Sequence, residues 1–138
     1  MHQLAAISPA FVALALTALL AACQASTLAS SDTPTGAPVY KGVVTRLLQT
    51  DLVQFKVQLA NSAVPKVVQY YAKCTAAQYT LIRGFGFARH VRTTVDRSAD
   101  TWTADAVYTI SDDMPRGFKT IDAKAAAADC VENNIPMV

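Results

Sequence analysis

Between Thr101 and Ser111 the chain alternates. Trp102, Ala104, Ala106, Tyr108 and Ile110 share one parity, and Thr101, Thr103, Asp105, Thr109 and Ser111 share the other. A period of two puts one set against a core and the other in water, so this run predicts a strand with a single buried face. Val53, Phe55, Val57 and Leu59 repeat the pattern, separated by Gln54, Lys56 and Gln58. The β-branched run from Val39 to Leu48, with Gln49-Thr50-Asp51 as a turn, makes a hairpin with that second strand.

From Asn61 the period lengthens. Asn61 or Ser62 is a candidate helix cap, and Pro65 is tolerated in a first turn. Val67, Tyr70, Cys74, Ala77 and Leu81 recur at three- and four-residue steps, widened by Val68, Tyr71 and Ile82, and form one apolar stripe. Gly84 ends the helix after Arg83. Phe85 to Ser111 reads as a second hairpin that turns at Arg97-Ser98-Ala99-Asp100, and Asp112 to Gly117 is a further turn. Residues 118–130 satisfy two patterns. Ile121, Ala123, Ala125 and Ala127 alternate like a strand, while Ala125 to Ala128 favours helix. The strand is preferred because a third antiparallel segment closes the sheet locally. The expected fold is α+β, a ββαβββ twisted antiparallel sheet packed against one helix.

Charge divides the chain. No Asp, Glu, Lys or Arg precedes Asp32, and 17 of the first 22 residues are apolar. Ala10 to Ala22 is too short for a spanning helix, which takes about 20 apolar residues, and it suits the apolar region of a secretory signal. Leu20-Ala21-Ala22-Cys23 resembles the lipobox of bacterial lipoproteins. That resemblance implies cleavage before Cys23, diacylglycerol on its thiol, and palmitate-type acyl chains as the membrane anchor. Gln24, not Asp, follows the cysteine, which in the enterobacterial sorting rule implies the outer membrane, facing the periplasm. The expected organisation is therefore a signal peptide at 1–22, a lipidated flexible tether at 23–38, and one domain at 39–138. Residues 24–38 are rich in Ser, Thr, Ala, Pro and Gly and cannot bury a core face.

With Cys23 acylated, Cys74 and Cys130 remain, and an oxidising periplasm favours a structural disulfide between them. A redox pair would have Cys-x-x-Cys spacing, and a metal site would need more ligands.

Catalytic groups are scarce. Processing removes His2 and leaves His90 as the one histidine, so no metal site and no cofactor are expected. Gly84-Phe85-Gly86-Phe87 follows a helix and precedes a strand, the reverse of a phosphate-binding glycine loop. Asp112-Asp113 suits a turn better than a calcium loop. In Arg89-His90-Val91-Arg92, strict alternation puts His90 and Arg92 on one face and Arg89 on the apolar parity. Arg89 then pairs with Asp105 or Asp122, or reaches water at a sheet margin, or joins His90 and Arg92 in an anion- or partner-binding patch. A net charge of +2 makes no case for nucleic acid. The leading expectation is a non-enzymatic, lipid-anchored envelope module that binds a protein or a cell-wall component. An inhibitor or immunity-type lipoprotein acting on a wall-degrading enzyme is the alternative, and a hydrolase using His90 is third.

Overall fold

The structure, a computed structural model, describes residues 36–137. The expected signal peptide at 1–22, the lipidation candidate Cys23 and the tether as far as residue 35 lie outside the described residues. The order of elements is β1 (Val39–Leu47), β2 (Leu52–Ala60), α1 (Pro65–Ile82), β3 (Phe87–Ser98), β4 (Thr101–Ser111), β5 (Thr120–Asp122) and α2 (Ala123–Glu132). The strands form one antiparallel sheet in the order β1-β2-β4-β3-β5. The fold is α+β.

The two alternating runs lie side by side at the centre. β2 and β4 pair without a break from Leu52 opposite Thr109 to Ala60 opposite Thr101. Val53, Phe55, Val57 and Leu59 are all 0% exposed, as are Ala104 and Ala106. The helix rests on these residues, and small alanines on β4 let it approach closely. Phe55 meets Tyr79 of α1 edge-on with ring centroids 5.5 Å apart, and Tyr40 of β1 meets Tyr71 at 4.8 Å. Trp102 donates its indole N–H to the Ser62 carbonyl at 2.9 Å, which ties the loop before α1 to the sheet.

Irregularities are confined to the outer pairs. The β1–β2 register shifts between Tyr40 and Gly42, and the β3–β4 register shifts between His90 and Arg92. Each is a bulge that reverses which residues face the helices. Gly42 has φ of +121°, a value that side-chain-bearing residues rarely adopt.

The helix begins at Pro65 with Val64 as its cap residue and no side-chain cap. Asn61 and Ser62 act one step earlier. Asn61 donates to the Ala37 carbonyl at 2.8 Å, and Ser62 donates to the Val64 carbonyl at 3.1 Å. Gly84 follows the last turn in the left-handed conformation, as expected, with φ of +82°.

The segment 118–130 departs from the expected strand. Only Thr120–Asp122 pairs, against Phe87–Arg89 of β3, and Ala123–Glu132 is helix. The reason is local. Asp122 accepts a hydrogen bond from the Ala125 N–H at 2.9 Å, which satisfies a free donor of the first turn, and the alanines that follow have the highest helix propensity. Ala123, Ala126 and Cys130 form the buried face of α2. The sheet is therefore covered by two helices, not one. α1 turns Val68, Tyr71, Ala72 and Thr75 inward, and its stripe containing Tyr70 and Cys74 meets α2.

Cys74 and Cys130 form a disulfide with Cα atoms 5.8 Å apart, and it joins helix to helix rather than helix to strand. The bond closes a loop with a sequence separation of 56. Replacing both cysteines by serine should lower the unfolding free energy by about 4 kcal/mol, chiefly by freeing the unfolded chain. Urea unfolding with and without reductant measures this, and an unchanged midpoint would show that the bond contributes nothing to stability.

Candidate functional site

The bulge at Val91 decides where the three patch candidates go. Before it, Arg89 lies opposite Thr109 and His90 opposite Tyr108; after it, Arg92 lies opposite Val107 and Thr93 opposite Ala106. Tyr108 and Ala106 belong to the helix-covered face. His90 and Thr93 therefore sit under α1, while Arg89 and Arg92 sit on the open face. The expected patch of Arg89, His90 and Arg92 is not assembled: strict alternation fails because the extra residue at the bulge shifts the phase by one.

The partners expected for Arg89 are also engaged elsewhere. Asp105 forms an ion pair with Arg92 at 3.3 Å and accepts a hydrogen bond from the Gln54 amide at 2.7 Å. Asp122 caps α2. Arg89 is exposed and makes no ion pair among the described residues. Arg89 is not at a sheet margin, because β4 pairs with it on one side and β5 on the other; it reaches solvent from the open face, beside Arg92 and apart from His90.

Around Arg89 and Arg92 the open face is basic. Arg46 of β1 lies opposite Gln54 of β2, which lies opposite Val107 and so in the same row as Arg92. Lys56 lies opposite Asp105 in the adjacent row. Four cations, Arg46, Lys56, Arg89 and Arg92, thus share this face with two carboxylates, Asp105 and, opposite Thr103 in the next row, Asp96. A small hollow of about 180 Å³ opens between Val44, Arg46, Gln54, Lys56 and Asp105.

The helix-covered face has a larger feature. A cleft of about 380 Å³ lies between the amino-terminal half of α1 and the strands β3 and β4. Lys66, Gln69, Tyr70 and Lys73 form its helix wall, and His90, Thr93 and Tyr108 form its floor. The helix residues are spaced i, i+3, i+4, i+7, so they share one face. His90 Nε2 is 2.7 Å from Thr93 Oγ1, and its ring meets Tyr108 edge-on at 5.2 Å. Burial, followed by the nearby Lys119 charge, pushes the imidazole below its ordinary 6.5. Burial also pushes the Tyr108 phenol up to about 12. Tyr70 donates to Asp129 of α2, and that hydrogen bond, with burial next, raises the phenol above its ordinary value. Lys73 stands 5.4 Å over the Tyr70 ring.

Sequence reasoning placed His90 on a polar strand face and left Lys66, Gln69, Lys73 and Thr93 unremarked. The helical spacing of Lys66 and Lys73 was a usable signal. The approach of Thr93 to His90 was not, since it exists only because of the bulge. No group of three or more His, Cys, Asp or Glu residues that could hold a metal occurs among the described residues.

The described residues thus form an α+β fold: an open antiparallel sheet with two disulfide-joined helices on one side, a basic opposite face and a helix–sheet cleft. The chain belongs to the YNQ4 C-terminal domain family, whose model matches residues 40–134. It is similar to an uncharacterized 26.9 kDa protein in the nqo8 5′ region of Paracoccus denitrificans, 27% identical over 85 residues, which is 62% of this chain and 33% of that one. The chain thus spans about a third of the length of that curated relative. No solved structure matches.

The lowered His90 value has a consequence for stability. The unfolded imidazole takes up a proton near 6.5 and the folded one only at lower pH, so the unfolded state binds more protons across that interval. The folded state is therefore favoured fully above pH 6.5 and loses this contribution as the pH falls through the lowered folded value. Urea midpoints of the wild type should fall over that window, and His90→Asn should flatten the fall. An identical pH profile for the variant would refute the assignment.

Proposed function

We propose that the chain is a lipid-anchored periplasmic module that binds an acidic protein partner on its open sheet face without transforming it. One observation supports this most: the basic face around Arg92, where four cations outnumber the carboxylates Asp96 and Asp105 and Arg89 has no ion pair among the described residues. A net excess of positive charge on a flat face favours association with the opposite charge and speeds encounter. The lipobox at Leu20 to Cys23 and the Ser/Thr/Pro-rich segment after it supply the anchor and the tether in this reading. The disulfide between Cys74 and Cys130 agrees with an oxidising compartment.

A second reading, a hydrolase using His90, has one contact in its favour, the 2.7 Å approach of His90 Nε2 to Thr93 Oγ1. A hydroxyl beside an imidazole is the start of a nucleophile–base pair, but activation also needs a group that orients the base and donors for the oxyanion. No carboxylate hydrogen-bonded to His90 occurs among the described residues, so the binding reading is preferred.

The full chain, expressed in a Gram-negative host and extracted with detergent, tests both parts. Intact mass should correspond to cleavage before Cys23 plus acyl chains, and Cys23→Ser should release the protein from the membrane fraction. An acidic protein captured by the wild type should be lost with Arg89→Ala/Arg92→Ala and weakened by raised salt. Capture that ignores both the variant and salt, or sedimentation with purified cell wall in its place, would count against the open face as the partner surface.

A further inference from the structure

The cleft between α1 and β3 has chemistry that the open-face reading leaves unused. Its lining holds two ammonium groups, Lys66 and Lys73, and no carboxylate. Asp129 of α2, outside the lining, already accepts from Tyr70, and neither lysine forms an ion pair among the described residues. Their Cα atoms are seven residues apart on one helix face, about 10 Å along the axis, which flexible lysine stems can close onto one group between them.

The floor adds directional hydrogen bonding. Thr93 and neutral His90 together carry two polar hydrogens, one on the hydroxyl and one on the ring. Their mutual bond consumes one of them whichever tautomer is present. The pair therefore always retains one unspent donor, on Thr93 Oγ1 or on His90 Nδ1. Gln69 adds an amide on the wall, and the rings of Tyr70 and Tyr108 give apolar surface beside these polar groups. A concave site of this size with a few convergent donors and two cations matches a small ligand bearing an oxyanion.

We propose that this cleft binds the carboxylate or phosphate group of a small ligand or lipid headgroup, held between Lys66 and Lys73 and hydrogen-bonded at the His90–Thr93 pair. The inference rests on the chain being a binding module, but it uses the opposite face from the partner surface and does not depend on that surface. An anion at this point favours the imidazolium. The charged and titratable groups around His90 are Lys66, Tyr70 and Lys73 from α1, Tyr108 from β4, Lys119 from the loop before β5, and Asp129 of α2 through Tyr70. All but Asp129 are cationic or neutral near pH 7, so an added anion changes the local balance.

The test is an NMR titration of the His90 ring resonances in the full chain, in detergent, with inorganic phosphate, with acetate, and with phosphatidylglycerol mixed into the micelles. Saturable shifts with a Kd of about 1 mM or tighter, and a His90 titration midpoint displaced upward in the bound form, are expected. Lys66→Gln/Lys73→Gln should weaken binding by about tenfold or more while leaving the circular dichroism unchanged, and Thr93→Val should weaken it less. Arg89→Ala/Arg92→Ala should leave the titration as in wild type. Response to phosphate or acetate identifies a free small ligand, and response to phosphatidylglycerol alone identifies a lipid headgroup. No saturable shift with any probe, or equal binding by the Lys66→Gln/Lys73→Gln variant, overturns the proposal. Acidic-protein capture that persists in that case would leave the open-face reading standing by itself.

Discussion

The unbroken ladder between β2 and β4 sets the parity of everything around it. Nine consecutive pairs run from Leu52–Thr109 to Ala60–Thr101 with no slip, so Val53, Phe55, Val57 and Leu59 stay on the helix side along the whole strand. A one-residue shift there would carry all four to the polar face and expose the core. Both bulges lie where such a shift is tolerated, in the pairs that flank this ladder. The fully buried Phe55 and Leu59 thereby seat α1, and α1 in turn fixes α2 through the Cys74–Cys130 bond.

The same division explains what the amino-acid sequence revealed. The central strands are two-sided, with a dry face and a wet face, so their side chains alternate visibly. The long helix declares itself through its period and through Gly84 at its end. The segment after Gly117 was less legible because alanine fits either a strand or a helix, and the deciding contact is a single cap at Asp122. A lone helix on the sheet would turn the stripe of Tyr70 and Cys74 toward the strands. That stripe instead meets a second helix, whose presence was not expected. The bulge at Val91 left no compositional trace, and without it His90 and Arg92 appear to share a face that they do not share.

That single inserted residue gives the domain two chemically different faces. Arg89 and Arg92 join Arg46 and Lys56 on a flat basic surface. His90 and Thr93 instead form a polar floor beneath two helix lysines. A strand that alternated without interruption would have gathered His90 and Arg92 together and left the cleft without its hydrogen-bonding pair. The family match spans nearly the whole folded region, residues 40–134, and so covers both surfaces.

The helix-to-helix bond also sets how the chain responds to mechanical load. A pull on its amino end at Val39 runs along β1, an edge strand whose backbone pairs with β2, and next meets β2 and the first half of α1. At Cys74 the load passes through sulfur to Cys130 and bypasses the 55 intervening residues, which hold the rest of α1, β3, β4, β5 and most of α2. The extensible length of the domain therefore ends in the middle of α1, and the hairpin that carries Arg89 and Arg92 cannot be drawn out by traction from that side, however strong.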